Sequence, residues 1–193
     1  DSPGVVALST ALAWGTVAAL TIWSPDPAES VLERVSRAAT TPPEPLAVLV
    51  PLVVLGAVAV PFGLGTGFLK LGPLPPVGEG LRVACVAFFL PGVAEELIFR
   101  VLALGDRSLV TLALGLLAFV AYHLDILHRF PIHRDPRFLV LAALLGVACT
   151  WAYLWDGSLW SCAVVHWVPV AVWLVGFGGI EAHRPGRKEG ALL

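Results

Sequence analysis

The chain has 193 residues, of which 58% are apolar and only 13% are charged, whereas a typical soluble domain carries about 25% charged residues. A soluble fold of this size buries roughly 70% of the surface that its unfolded chain exposes, which is too little to hide so much apolar surface. The composition excludes a nucleic-acid-binding domain, a disordered tail and a secreted disulfide scaffold, and the net charge of -2 provides no basic surface for a polyanion. Cys85, Cys149 and Cys162 lie in apolar runs and are interpreted as buried small hydrophobic residues.

Long apolar segments recur along the chain. A bilayer core about 30 Å thick requires roughly 20 apolar residues in an α-helix. Segments of that length with few charges predict about six membrane-spanning helices, at 5–23, 46–69, 81–104, 109–127, 138–155 and 159–177. The predicted fold class is therefore all-α, a polytopic transmembrane helix bundle. Asp156-Gly157-Ser158 predicts a tight turn before the last span, with Asp156 or Ser158 as its cap.

The segment between the first two spans differs from the rest of the chain. Apolar residues at helical spacing within 24–45 favour a short helix on the membrane surface. A solvated connector bounded by prolines is the alternative interpretation. We divide the chain into an N-terminal transmembrane pair with this surface linker at 1–80, a core of four helices at 81–177, and a basic C-terminal tail at 178–193.

The distribution of basic residues predicts the orientation. When six spans are counted, most basic loop residues fall on the side of the N-terminus. Both termini are therefore predicted to be cytoplasmic, or stromal in a plastid. The chain begins at Asp1 and contains no methionine, so we expect a preceding segment in the natural product, where a targeting peptide would fit.

Three ionisable residues interrupt the third predicted span. Glu95, Glu96 and Arg100 lie in an otherwise apolar segment, where each charge costs roughly 2.5 to 3.5 kcal/mol. Glu96 and Arg100 are four residues apart, so an ion pair within one helix is predicted. Glu95 points about 100° away around the helix and is available to a neighbouring helix.

Two other spans each contain one histidine. His123 lies near the end of the fourth span and His166 within the first half of the sixth. Taken alone, either could be a buried polar group bonded to a backbone carbonyl. Because ionisable groups inside a membrane usually mark function, we expect Glu95 and both histidines to meet in one polar cavity that opens between the third, fourth and sixth spans.

A carboxylate with two imidazoles supports two chemistries. In the first, Glu95 and His123 hold a water molecule and remove its proton, while His166 donates to the oxyanion of a peptide carbonyl. In the second, Glu95, His123 and His166 form a His2Glu ligand set for a zinc ion with an open position for water. No HExxH motif is present, and both alternatives remain open.

These residues resemble the motifs of the CPBP family of membrane proteases, which contains the CAAX prenyl endopeptidases and the bacterial Abi proteins. The first family motif, EExxxR, is matched by residues 95–100, and the second, FxxxH, by Phe119 to His123. The third, a helix entered through a Thr-Gly-Ser-Leu-Trp turn, is matched by Asp-Gly-Ser-Leu-Trp at 156–160, followed by His166. The likeness covers residues 81–177, about half of the chain.

The resemblance implies an intramembrane endopeptidase that cleaves a membrane-associated protein or peptide. It implies catalytic roles for Glu95, Glu96, His123 and His166, with Arg100 and Phe119 in support. Family members are described as metalloproteases or as glutamate proteases, so zinc on Glu95, His123 and His166 is one alternative and a metal-free site is the other. Membrane lipids are expected partners, and nucleic acid is not.

The chain departs from the family pattern at one position. Where the family commonly has an asparagine four residues after the last histidine, this sequence has Val170, so one expected oxyanion donor is missing. The sequence that follows His166 is similar to a branch found in cyanobacteria and plastids, where the asparagine is also absent. This similarity implies a thylakoid membrane, with the plasma membrane as the alternative. A second hypothesis follows from Val170: a weakly active or inactive subunit that serves as scaffold or assembly partner of a larger, photosynthetic complex.

Overall fold

The computed structural model describes residues 11, 14–19, 30–104, 108–125, 132 and 135–182. Helices and short connections make up these residues, with no β-strand among them, as the composition predicts. In chain order the elements are α1 (Val31–Thr40), α2 (Pro45–Gly65), α3 (Val77–Ala87), π1 (Phe88–Glu95), π2 (Leu97–Leu102), α4 (Leu109–Asp125), α5 (Pro136–Asp156), α6 (Leu159–Gly176) and α7 (Gly179–Ala182). Residues 14–19 are helical, and the rest of the predicted first span and the tail beyond 182 lie outside the described residues.

Three of the described helices are long and apolar enough to cross a bilayer. They are α2, α5 and α6, with 21, 21 and 18 residues, or about 27 to 32 Å at 1.5 Å per residue. Helix α4 is apolar but shorter. The predicted third span is divided between α3 and two π-helical segments. The prediction of about six spans is therefore approximate, although the all-helical, membrane-embedded class is confirmed.

The hairpin of α5 and α6 forms the centre of the bundle. Helix α2 packs on both of its members, α4 packs on α5, and α3 and π1 pack on α6. The core of the bundle contains small residues from α5 and α6, including Ala148, Cys149 and Cys162. Cys85 is exposed, so the prediction that all three cysteines are buried was wrong for that residue.

The turn between α5 and α6 fastens three helices together. Ser158 accepts a hydrogen bond from Trp160 N at 3.2 Å as the N-cap of α6, which confirms the predicted capped turn. The Asp156 carboxylate accepts hydrogen bonds from Ser161 Oγ at 2.5 Å and from the backbone N–H of Glu44 at 2.9 Å. Since Glu44 precedes α2, this single carboxylate anchors the start of α2 to the hairpin.

The opposite end of α2 is fastened to the start of α5. Arg137 Nη1 donates to the carbonyl of Thr66 at 2.8 Å, and Arg137 Nε donates to Asp135 Oδ1 at 2.9 Å. The hydrogen bonds from the Arg137 side chain hold the pKa of Asp135 below its ordinary value. Both ends of α2 are thus held against the hairpin, which places the helix beside the site described below.

Helix α1 is fixed by a buried arginine. Ser30 and Glu33 form a capping box at its start. Arg34 is only 3% exposed, and its Nη1 donates to the carbonyl of Leu102 at 3.2 Å. Arg34 lies outside the apolar stripe of the surface helix predicted within 24–45, so that helix would direct it towards solvent. In the structure it packs inward because the C-terminal end of π2 offers a backbone acceptor.

Candidate active site

The helix that carries Glu95, Glu96 and Arg100 is not a regular α-helix. It is α-helical to Ala87 and then adopts the wider π-helical pattern from Phe88 to Glu95 and from Leu97 to Leu102. The change occurs three residues before Pro91, whose ring would crowd the carbonyl of Ala87 in an α-helix. Short π-helical segments within α-helices frequently lie at functional sites.

Gly92 allows π1 to approach α6 closely. A β-carbon at this position would lie 3.3 Å from the carbonyl oxygen of Ala163 and from the Cβ of Trp167, both on α6. Only glycine fits this approach without displacing its neighbours. The contact is three residues from Glu95 on π1 and from His166 on α6, so it brings these two side chains together.

Glu96 is the buried anchor of the site. Its side chain has no solvent exposure. Oε1 accepts a hydrogen bond from His166 Nδ1 at 2.6 Å, and Oε2 lies 3.3 Å from Arg100 Nε. The ion pair predicted from the four-residue spacing is thus present. Because an ionised carboxylate only accepts hydrogen bonds, His166 carries its proton on Nδ1.

Arg100 connects three elements beneath the site. Its Nη2 donates to the carbonyl of Gly146 on α5 at 3.1 Å, and its guanidinium carbon lies 4.7 Å from the centre of the Phe119 ring on α4. A β-carbon at Gly146 would lie 2.7 Å from Leu116 Cδ1 and 3.0 Å from Phe119 Cδ1. The missing side chain at Gly146 therefore lets α4 pack closely on α5, with Phe119 over the guanidinium group.

His123 is oriented by its own helix. Its Nδ1 lies 2.8 Å from the carbonyl oxygen of Phe119, one turn earlier on α4. A carbonyl oxygen can only accept a hydrogen bond, so Nδ1 is the donor and the neutral ring keeps a lone pair on Nε2. His123 and His166 are therefore held in the same way, each through Nδ1, and each presents Nε2 to the site.

Both free ring nitrogens face Glu95. Glu95 Oε2 lies 3.7 Å from His123 Nε2 and 3.9 Å from His166 Nε2. These distances are too long for direct hydrogen bonds, and Glu95 Oε2 is buried without a hydrogen-bond partner among the described residues. A buried carboxylate oxygen in this position requires a donor or a cation. The three atoms form one site with room for a small polar ligand.

These three residues help to line a cavity of about 490 Å³. Glu95, His123 and His166 supply its ionisable side chains. Most of the wall is apolar and comes from α2, α5 and α6, including Leu55, Ala142 and Val170. Val172 also lines the cavity and is 51% exposed, so the cavity reaches the outer surface of the bundle. The predicted polar cavity between the third, fourth and sixth spans is thus a mainly apolar one that α2 and α5 help to form.

A second group of potential metal ligands lies behind the first. The ligand atoms of Glu96, Cys149 and His166 are within 4.8 Å of one another, and all three residues are buried. Arg100 lies 3.3 Å from the same Glu96 carboxylate, and its positive charge disfavours a cation there. Glu96 Oε1 is already occupied by the hydrogen bond from His166 Nδ1. We therefore assign this group to the support of Glu96 and His166.

Every candidate residue of the sequence analysis lies at this site. Glu95 is the last residue of π1, Glu96 lies between π1 and π2, and Arg100 lies in π2. Phe119 and His123 come from α4, and His166 comes from α6. Sequence reasoning missed two neighbours of the site: Cys149, whose sulfur lies within 4.8 Å of ligand atoms of Glu96 and His166, and Tyr122, whose ring centre lies 5.5 Å from that of His123. Tyr122 immediately precedes His123, and this adjacency was the one signal that could have identified it. Cys149 lies in an apolar run without such a signal.

Comparison with known proteins identifies a family for part of the chain. Residues 78–172 match the family model described as Type II CAAX prenyl endopeptidase Rce1-like. No curated protein and no solved structure matches the chain. The matched region contains the three ionisable residues of the cavity, Glu95, His123 and His166. Through this domain, which takes up about half of its length, the chain belongs to the Rce1-like CAAX prenyl endopeptidases of the CPBP family.

Proposed function

We propose that the protein is an intramembrane endopeptidase that hydrolyses a peptide bond of a membrane-associated protein or peptide. The observation that carries the proposal is the buried, unpartnered Oε2 of Glu95 with the Nε2 atoms of His123 and His166 at 3.7 and 3.9 Å. A water molecule beside Oε2 is within reach of both rings. Glu95 would remove its proton, and His123 would orient it for attack on the peptide carbonyl.

His166 is assigned to the oxyanion. Since its Nδ1–H donates to Glu96, it can donate from Nε2 only as an imidazolium ion. Glu96 is the carboxylate that would stabilise this charge, in the same manner as the buried aspartate of a serine protease triad. A fixed cation in an apolar cavity stabilises a developing oxyanion strongly. Glu96 thus acts through His166, while Arg100 and Phe119 hold Glu96 and its surroundings in place.

The same atoms also fit a zinc ion. Glu95 Oε2, His123 Nε2 and His166 Nε2 would be its ligands, a His2Glu set. The carbonyl of Phe119 and the carboxylate of Glu96 hold the opposite ring nitrogens, as outer-shell partners do in zinc proteins. A bound zinc would lower the pKa of a coordinated water and polarise the scissile carbonyl. Elemental analysis of the purified protein would separate the two versions.

Cleavage by reconstituted protein tests the proposal. In proteoliposomes that contain a single-span peptide of known sequence, wild type is expected to release two fragments whose masses define one cleaved bond. His123→Ala removes the ring that orients the nucleophile and is expected to lower the rate about 10² to 10⁴-fold. Undiminished cleavage by His123→Ala at unchanged Tm would contradict the assignment.

Val170 favours a second candidate, a weakly active or inactive subunit that supports a larger membrane complex. Val170 lines the cavity four residues after His166, so no amide is present at the position where the family commonly has asparagine. Residue 170 instead forms part of the apolar wall of the cavity. The valine in place of an oxyanion donor is the specific observation that favours a scaffold. A stable stoichiometric complex without peptidase activity would support this candidate over the enzyme.

Val170→Asn is expected to increase cleavage. The new amide would add an oxyanion donor one turn from His166, and one such donor contributes about 10² to 10³-fold in other hydrolases. Initial rates in proteoliposomes measure the effect. Val172→Asn places the same amide two residues further along α6, on a side chain that is 51% exposed, and serves as the matched control. An equal gain in both variants, or no gain in Val170→Asn, would contradict the oxyanion assignment.

The orientation and location of the protein extend this proposal. We place both termini on the cytoplasmic or stromal side of a plasma or thylakoid membrane, because the basic loop residues fall on that side when six spans are counted. Accessibility of single introduced cysteines to an impermeant reagent on each side of sealed vesicles measures the orientation. Labelling of the two ends from opposite sides would contradict it.

A further inference from the structure

Gly56 lies on the face of α2 that lines the cavity. Leu52, Leu55 and Ala59, all within about one turn of it, line the same cavity, as residues on one face of a helix do. On the opposite face, Val54 is 46% exposed. The face that contains Gly56 is therefore turned towards the cavity.

The missing side chain of Gly56 leaves free space in the cavity wall. A β-carbon at this position would have no heavy atom of the surrounding described residues within 4 Å. At Gly63, on the same helix, a β-carbon would lie 2.5 Å from Leu69 Cδ1, so close packing requires glycine there. Glycine is a poor helix former, and no such packing contact explains it at position 56. Its effect is to widen the cavity.

Gly56 lies about one helical turn beyond the level of the histidine of α6. The Asp156 carboxylate, which precedes α6, binds the backbone N–H of Glu44, which precedes α2, so both helices begin at the same end of the bundle. At 1.5 Å per residue, His166 lies about 10 Å and Gly56 about 16 Å from that end. Val170 lines the cavity from α6 at the level of Gly56. Consecutive Cα atoms of a peptide are about 3.8 Å apart, so a group attached next to the reacting bond reaches this level.

The cavity wall beside Gly56 is apolar. The ionisable side chains among the lining residues are those of Glu95, His123 and His166. A charged group placed beyond them would lose its hydration without gaining a partner. The cavity volume of about 490 Å³ is typical of pockets that hold a whole small-molecule ligand, and is more than a peptide bond and a water molecule need. The cavity therefore has room for a bulky apolar group beside the reacting bond.

We propose that Gly56 is a specificity-determining residue, because its missing side chain admits a bulky apolar group that the substrate carries next to the scissile bond. The inference rests on the proposed peptidase function, since it assigns the apolar part of the cavity to the substrate of that reaction. The group is a large apolar side chain or an alkyl chain attached to the substrate, and burial in an apolar wall favours both. A side chain at residue 56 would occupy the space of such a group.

Gly56→Leu tests the inference because it fills this space with a better helix former. Three single-span peptides in proteoliposomes differ only at one central residue adjoining the cleaved bond, which is alanine, phenylalanine or S-decylcysteine. The variant is expected to lower the cleavage of the two bulky peptides relative to the alanine peptide about tenfold or more. A ratio measured on one preparation does not depend on the amount of folded protein.

Gly65→Leu is the matched control for this variant. Gly65 also lies in α2, and a β-carbon there would likewise have no surrounding described heavy atom within 4 Å, but Gly65 does not line the cavity. A loss confined to one of the bulky peptides would support the inference and identify the group that the cavity binds. Unchanged ratios in Gly56→Leu, or an equal fall in Gly65→Leu, would overturn it.

Photolabelling tests the cavity without peptidase activity. A peptide with benzoylphenylalanine at the variable residue is irradiated with each protein in proteoliposomes, and the labelled residues are identified by mass. Wild type and Gly65→Leu are expected to be labelled on residues of the cavity wall, and Gly56→Leu about fivefold less. If wild type cleaves no peptide but this pattern is present, the peptidase proposal fails and the assignment of Gly56 stands. Equal labelling of the cavity in all three proteins, or none in wild type, would overturn the assignment whatever the activity.

Discussion

Glu95→Gln is expected to lower peptide cleavage by about 10³-fold or more, the largest loss of activity among the variants considered. Glutamine keeps the shape of the side chain but cannot accept the proton of the attacking water. If zinc is bound instead, the variant also loses a carboxylate ligand. The measurement is the single-turnover rate in proteoliposomes, with the product bond identified by mass.

The matched control for this variant is Glu44→Gln. Glu44 is exposed at the start of α2 and is absent from the lining of the cavity. The Glu44→Gln variant is expected to cleave the peptide at the wild-type rate. The Tm of Glu95→Gln should not fall, because a buried carboxylate oxygen without a partner is replaced by a neutral group. Full activity in Glu95→Gln would remove this residue from the reaction and with it the proposed mechanism.

Arg100→Met is expected to give the largest loss of stability, about 3 to 5 kcal/mol. Arg100 is 1% exposed and compensates the charge of Glu96, which has no exposure at all. Methionine of similar length leaves that carboxylate buried without its cation and leaves the carbonyl of Gly146 without its donor. Unfolding in mixed micelles with increasing denaturing detergent measures the change.

Two further variants identify the cause of that loss. Arg82→Met removes an exposed arginine from α3 and is expected to leave the free energy of unfolding within about 0.5 kcal/mol of wild type. Glu96→Gln combined with Arg100→Met removes both charges and should recover part of the stability. A small loss in Arg100→Met, or no recovery in the double variant, would show that the ion pair is not what stabilises this region.

The spacing of charged residues was sufficient to predict the centre of the site. Glu96 and Arg100 pair as their separation indicated, and the single histidines of two other helices do face Glu95. These predictions succeeded because a buried charge in an apolar helix must find a partner. The motifs within residues 81–177 that carry the family resemblance include these same charged residues and histidines, so both lines of reasoning pointed to one site.

Other features were not predicted from the sequence. The π-helical segments lie in a mostly apolar sequence that fits an α-helix equally well. A short apolar segment has no measurable period from which the type of helix could be predicted. The burial of Arg34 depends on the carbonyl of Leu102, and backbone acceptors leave no trace in a residue pattern. The sequence analysis did not predict that α2 lines the cavity. Apolar residues are expected in a membrane helix both where it faces lipid and where it faces an apolar cavity.

The most direct test of the central claim is an experimental structure of the protein in a lipid bilayer at a resolution that shows ordered water and ions. The account predicts that the Nε2 atoms of His123 and His166 face Glu95 Oε2, with a peak of density in contact with all three. It further predicts that Nδ1 of each ring stays on the carbonyl of Phe119 or on Glu96. Histidines that point into separate packing niches, with Glu95 bonded elsewhere, would contradict it.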